Sequence, residues 1–196
     1  TDESPRTNYA SAAALAAASR ALKGFNDALA KECLAAAEHA WEYEHSKPEP
    51  EDRRAAMFTA MSEMGATLQL LKSTQKQVYA DRFEEILWPG MERGSNWLMA
   101  LAVRAVPVLG DEFKEKLQPF VEQYKTANDE ILQDNPFGVY IGRGGWAGNG
   151  GIINWATTNY LLHKTFPEII GPEYSYRGLD YIFGCHPSSN ISFVSG

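Results

Sequence analysis

The chain has 196 residues, a formal net charge of −7, 44% hydrophobic residues and 22% charged residues. That balance describes one globular domain, or a large piece of one, with enough apolar content for a core, and excludes a disordered tail. It also argues against a nucleic-acid binder and disfavours an anionic membrane surface, because the longest basic run, Arg53-Arg54, is flanked by Glu51 and Asp52, whereas phosphate binding needs clustered cations.

The elements read as helices over the first two thirds of the chain. Thr7 or Asn8 caps a first helix through Ala12, Leu15, Ala16, Ser19 and Leu22, which Gly24 stops. Its alanines favour the helix and let neighbours approach closely. Asn26 or Asp27 starts a second, with Leu29, Cys33, Leu34, Ala37 and Trp41 at helical spacing, ended by Ser46-Lys47-Pro48-Glu49-Pro50. A third spans Glu51 to Leu71, with Met57, Met61, Met64 and Leu68 as its expected core stripe. A fourth spans Lys72 to Leu87 and breaks at Trp88-Pro89-Gly90; a fifth spans Asn96 to Val106. The sixth, Asp111 to Leu132, carries Phe113, Leu117, Phe120 and Tyr124, with a kink or restart expected at Pro119.

The texture then changes. Asn135 to Gly151 holds seven glycines together with Tyr140 and Trp146, a shaped loop. Helices follow over Ile152 to His163 and Tyr174 to Phe183, the latter closed by Gly184, and Ile191 to Gly196 reads as extended. No stretch alternates with the period of a half-buried strand, and no solenoid repeat occurs. The fold class is therefore all-α, built from helical hairpins with functional loops at one end.

The chemistry-bearing residues point mainly to that loop. Trp146 can stack on the apolar face of a pyranose, its N–H reaching a hydroxyl. Arg143 and Asn149 offer hydrogen bonds to sugar hydroxyls, with loop-internal bonds as the equal alternative, and Tyr140 does so more weakly. Gly142, Gly144, Gly145 and Gly148 permit close backbone approach to a ligand. Nucleotide binding does not fit, because no strand precedes the loop and the phosphate-binding lysine is missing. His39, Glu42 and His45 do not make a metal site, since His45 lies roughly 240° around the helix from His39. Ser, His and Asp form no nucleophile elbow; Asp180 reads as structural, and His186 as a cap or a substrate contact. Trp41, Trp88, Trp97 and Trp155 read as core. No cofactor is called for. Cys33 and Cys185 form no CxxC pair, and their pairing stays open. No apolar run reaches the roughly 20 residues of a membrane span. The opening Thr1-Asp2-Glu3-Ser4-Pro5 has neither an initiator Met nor a leader, as expected of a processed or trimmed piece.

Three stretches together resemble the family 9 glycoside hydrolases. Asn8 to Arg20, with Leu29 to Ala37, is like the family's "ALAaAS" helix and its hairpin partner. Gly144-Gly145-Trp146-Ala147-Gly148-Asn149 is similar to its Trp-Gly-Ser loop before a helix. Leu179-Asp180-Tyr181-Ile182-Phe183-Gly184-Cys185-His186-Pro187, continuing through Ser192-Phe193-Val194-Ser195-Gly196, looks like its "LDYILGxNP…SYVTG" signature and is the most specific. His186 stands where the family usually has Asn, and Ala147 where Gly is common. The resemblance implies an (α/α)6 toroid, of which this chain supplies roughly half in a single domain over residues 1–196. It implies inverting hydrolysis of β-1,4-glucan or a related oligosaccharide, with Trp146 at a sugar subsite.

The family's Asp-Ala-Gly-Asp motif and its downstream acid Glu do not occur between Thr1 and Gly196. No residue here is therefore assigned as catalytic acid or base, although the reaction needs both. The resemblance also implies a secreted or periplasmic protein, and partners that include a β-linked glucan and either the remainder of its own domain or a second copy. Two other readings stand beside it: an exo-acting glucosidase or glucosaminidase, and a non-catalytic all-α carbohydrate-binding or scaffold module.

Overall fold

The reason the chain folds as helices is visible in its buried positions, which recur every three or four residues. A computed structural model describes residues 4–48, 50–133, 137–141, 148–184 and 192. Among these every regular element is a helix: α1 (Pro5–Leu22), α2 (Asp27–His45), α3 (Arg53–Thr74), α4 (Gln77–Glu92), a single 3-10 turn (Asn96–Leu98), α5 (Met99–Gln133), α6 (Gly148–Thr165) and α7 (Glu173–Phe183). The chain divides into two units, Thr1–Leu101 and Ala102–Gly196.

In the first unit α1 packs on both α2 and α3, and α3 on α4. Tyr9, Ala12, Ala16 and Ser19 form the buried stripe of α1; Ala30, Ala37, Trp41 and Glu44 form that of α2. The small residues let the backbones come close. The second half of α3 is buried on most sides: Glu63, Met64, Ala66, Thr67, Leu68, Leu70 and Leu71 are all inside. Arg20 ties α1 to α3 by donating to the Gln69 carbonyl at 2.8 Å, the Ser73 hydroxyl at 2.6 Å and the Gln69 side chain.

In the second unit α5 buries Phe113, Leu117, Val121, Tyr124 and Asn128, one face of a helix. The α6–α7 pair is held at close range because Gly178 faces Ala156: a Cβ on Gly178 would lie 2.6 Å from that of Ala156. Ser175 Oγ donates to the Ala156 carbonyl at 3.2 Å beside the same contact. His163 Nδ1 donates to the Ile170 carbonyl at 2.8 Å and folds the α6–α7 connection back on α6.

Several expected boundaries shift. The first helix starts at Pro5 with Ser4 in the N-cap position, not at Thr7 or Asn8; proline suits the first turn, where its missing N–H costs nothing. The third runs on to Thr74, and the break from the fourth is a left-handed Gln75 (φ 55°) whose N–H closes on the Leu71 carbonyl. The fourth does not break at Trp88-Pro89-Gly90 but continues to Glu92, because Leu87, Trp88 and Met91 are buried and Trp88 Nε1 donates to Glu84 at 2.7 Å. The expected fifth and sixth helices are the two arms of α5, and the interruption is Gly110 (φ 82°, ψ −165°), a backbone region open in practice to glycine alone. Pro119 stays inside a helix. The sixth helix begins at Gly148, inside the stretch read as loop. Met57 is 49% exposed and Met61 half-buried, so the methionine stripe is core only from Met64 onward, and Trp97 is 43% exposed rather than core. The extended reading of Ile191 to Gly196 lies outside the described residues except at Ser192.

Candidate functional site

The glycine-rich loop departs from α5 and returns into α6. Its described entry, residues 137–141, is fastened to α7. Phe137 packs edge-on against Tyr181 with ring centroids 5.6 Å apart. Gly138 takes φ 63° directly over the Arg177 side chain; a Cβ there would meet Arg177 Nη1 at 3.1 Å. Val139 is fully buried. Tyr140 follows, exposed, and Asn149 sits half-exposed in the first turn of α6 at the loop's exit. Arg143, Gly145 and Trp146, like His186 and Cys185, lie outside the described residues. Cys33 is half-buried on α2.

Below the loop lies a buried polar layer between α5 and α6. Trp155 Nε1 donates to Asn128 Oδ1 at 3.3 Å, and Asn159 Nδ2 donates to the Trp155 carbonyl at 2.9 Å and to Tyr124 OH at 3.4 Å. Burial pushes the Tyr124 phenol above its ordinary range; the amides of Asn128 and Asn159 beside it oppose the rise, and the neighbouring Tyr140 adds to it. Asn128 Nδ2 and Asn159 Oδ1 are buried without a hydrogen-bond partner, a costly state that persists only where the surrounding packing imposes it.

A second fastening joins α5 to α7. Asp129 accepts from Tyr174 OH and from Lys125 Nζ. Burial works against ionisation of Asp129, but the hydrogen bonds from Lys125 and Tyr174 and the charges of Lys125 and Arg177 outweigh it, so its pKa is lowered. Arg177 thus serves both this cluster and Gly138. Among the described groups the arrangement fastens the loop entry at residues 137–141 to α7 and contains no acid–base pair.

The first unit holds its own buried charge cluster. Glu63, 3% exposed, accepts two parallel hydrogen bonds from Arg82 (Nε and Nη2, both 2.9 Å), one from His45 Nδ1 at 2.9 Å and one from Tyr9. His45 also stacks on Trp41 at 4.4 Å. This accounts for His45 as a neighbour of Glu63, on a different side of α2 from His39. Among the described residues no three His, Cys, Asp or Glu side chains converge as a metal site requires, and no helix is long and apolar enough to cross a membrane.

Sequence reasoning missed the floor residues Tyr124, Asn128 and Asn159 as a group, and Arg177 as the loop's anchor. The available signal was an asparagine falling on the core stripe of a helix, at Asn128 and at Asn159.

Among the described residues the scaffold is all-helical, and the entry of the glycine-rich stretch, residues 137–141, is fastened to α7. The model of glycosyl hydrolase family 9 matches residues 1–196, and the chain belongs to that family. No curated protein matches it in sequence. Among solved structures it is similar to a metagenome-derived glycoside hydrolase family 9 endoglucanase, with a TM-score of 0.62 and 21% identity over 95% of this chain and 37% of that one. That likeness shows the fold, a part of the (α/α)6 toroid. The chain spans little more than a third of the length of the endoglucanase it matches.

Proposed function

We propose that this chain forms part of the substrate-binding wall of an inverting β-glycosidase of the cellulase type, acting on β-1,4-linked glucan or a related oligosaccharide outside the cytoplasm. The observation that carries the reading is the family match over the whole chain, together with a glycine-rich loop whose entry is anchored at Phe137, Gly138 and Val139. Trp146 stacks on a pyranose face. Arg143, Tyr140 and Asn149 hydrogen-bond hydroxyls, and Gly145 lets the main chain approach the sugar. The acid and the base come from residues not in this chain, and the water attacks from the face opposite the leaving oxygen. The anchored loop entry supplies pre-organisation, so that little ordering is left for the sugar to impose.

The test uses the protein in which this chain is joined to the family's catalytic carboxylates. It should release reducing ends from soluble β-1,4-glucan, with the α-anomer seen first by proton NMR, and Trp146→Ala should lower kcat/KM by about tenfold or more, the loss of one aromatic platform. Absence of hydrolysis of any β-glucan, or a Trp146→Ala variant with unchanged kcat/KM, overturns the reading.

A further inference from the structure

Within the first unit, the start of α1, the end of α2, the first half of α3 and the end of α4 with the following 3-10 turn surround an open groove of about 850 Å³. Its floor is charged but internally balanced. Glu63 is neutralised by Arg82, and Glu44 by Lys47 at 2.8 Å, with Asn8 donating to the same Glu44 oxygen. Two further cations line the groove, Arg54 and Arg93, both exposed. Among the described residues neither has a carboxylate at ion-pair distance; the Arg54 guanidinium lies over the Phe58 ring at 5.8 Å. Among its described lining residues the groove is thus locally positive on a chain whose net charge is −7, and such a local field selects an anion.

Two other features say what kind of anion. Trp97, 43% exposed, presents an indole on the groove wall. Glu44 is 4% exposed, and its Oε2 is buried with no hydrogen-bond partner. An unpartnered buried carboxylate oxygen calls for a donor such as a hydroxyl. An aromatic platform, a hydroxyl acceptor and two guanidinium groups together match a sugar that carries a carboxylate. A neutral glucan would leave both arginines without a counterpart, and a simple anion would use neither Trp97 nor Glu44.

We propose that this groove binds an acidic saccharide, a uronate-bearing β-linked chain, with the carboxylate on Arg54 and Arg93, a pyranose face on Trp97 and a hydroxyl on Glu44. The saccharide part rests on the glycosidase reading above; the preference for an acid rests on the groove's own charges. Arginine forks recognise carboxylates in a planar, two-point fashion that lysine does not reproduce.

The experiment is calorimetric titration of the full chain with a glucuronate-containing β-linked tetrasaccharide and with cellotetraose, at low and at physiological salt. The acidic ligand should bind about tenfold more tightly, an advantage that shrinks with salt. Arg54→Ala with Arg93→Ala should abolish the preference, and Trp97→Ala should weaken the acidic ligand. Trp146→Ala should leave the acid preference intact, which separates this groove from the loop. Equal affinity for the two ligands, a preference surviving in the double arginine variant, or no binding of the acidic ligand overturns the proposal. Hydrolysis of neutral glucan by the complete protein decides the glycosidase reading independently.

Discussion

At the scale of single residues the informative pair is Asp129 and Tyr174, because one hydrogen bond moves both titrations. Burial and the adjacent carboxylate push the Tyr174 phenol up to about 12, while Asp129 moves down for the reasons given above. The signs follow from linkage. A phenol whose folded pKa exceeds its unfolded value of about 10 adds stability that is complete below that value and lost as the pH rises toward 12. A carboxylate whose folded pKa is depressed adds stability present above its unfolded value, about 3.9, and lost as the pH falls through the folded one. The melting temperature of the chain should therefore drop at both ends of the pH range. Tyr174→Phe should remove most of the alkaline contribution and reduce the acid one, and Asp129→Asn should do the converse. Melting followed by circular dichroism between pH 3 and 12 checks this: pH profiles of the two variants that superimpose on the parent's show that the Asp129–Tyr174 bond contributes nothing in solution. The pair lies partly in water, so its effect belongs to the modest class of surface interactions.

At the scale of elements two helical glycines predict opposite outcomes. Alanine ordinarily stabilises a helix interior over glycine by up to about 1 kcal/mol. At Gly65 in α3 a new Cβ meets nothing within 4 Å, so Gly65→Ala should raise stability by roughly that amount. At Gly178 in α7 the same methyl would lie 2.6 Å from the Ala156 Cβ and 3.5 Å from the Ile152 carbonyl. Gly178→Ala should lower stability by about 1–3 kcal/mol as α7 is forced off α6, and Ala156→Gly in the same chain should restore part of the loss. Chemical denaturation of the three variants measures it; a Gly178→Ala variant as stable as the parent means that α6 and α7 do not approach as described. The same elements show what could be read from the sequence. Alanine-rich α1 and the α7–Gly184 stop were legible because propensity and capping act locally. The run of α4 through Pro89 was not, since the lost backbone bond is outweighed by burial of Leu87, Trp88 and Met91, which is a tertiary effect. The gap between the expected fifth and sixth helices, Val106 to Asp111, does contain the break, but its confinement to Gly110 was not legible, because a lone glycine gives no sign of its dihedral angles. The buried asparagines between α5 and α6 were not legible either: Asn128 and Asn159 look like surface residues until the helices that bury them are placed.

At the scale of the whole molecule the question is what covers its apolar surface. On α6 Ile153 and Tyr160, each 51% exposed, recur two turns apart, and on α7 Tyr176 and Phe183 are 62% and 59% exposed at the same interval. Two-turn spacing puts each pair on one face of its helix. Neither face is needed for the α6–α7 contact, which uses Ala156, Ser175 and Gly178. Exposed aromatic and aliphatic residues aligned on adjacent helices mark association surfaces rather than ordinary scattered apolar groups. The 196-residue chain on its own should therefore self-associate with rising concentration. Sedimentation velocity should show the average mass climbing above that of a 21.8 kDa monomer, and Tyr160→Lys combined with Phe183→Lys should return it to monomer without lowering helicity. A parent chain that stays monodisperse at 21.8 kDa and melts in one cooperative step would sink this expectation and favour a self-standing module. If instead only the double variant is monomeric, these helix faces are interfaces, and the neighbouring helices of a family 9 toroid are the natural occupants to test against them.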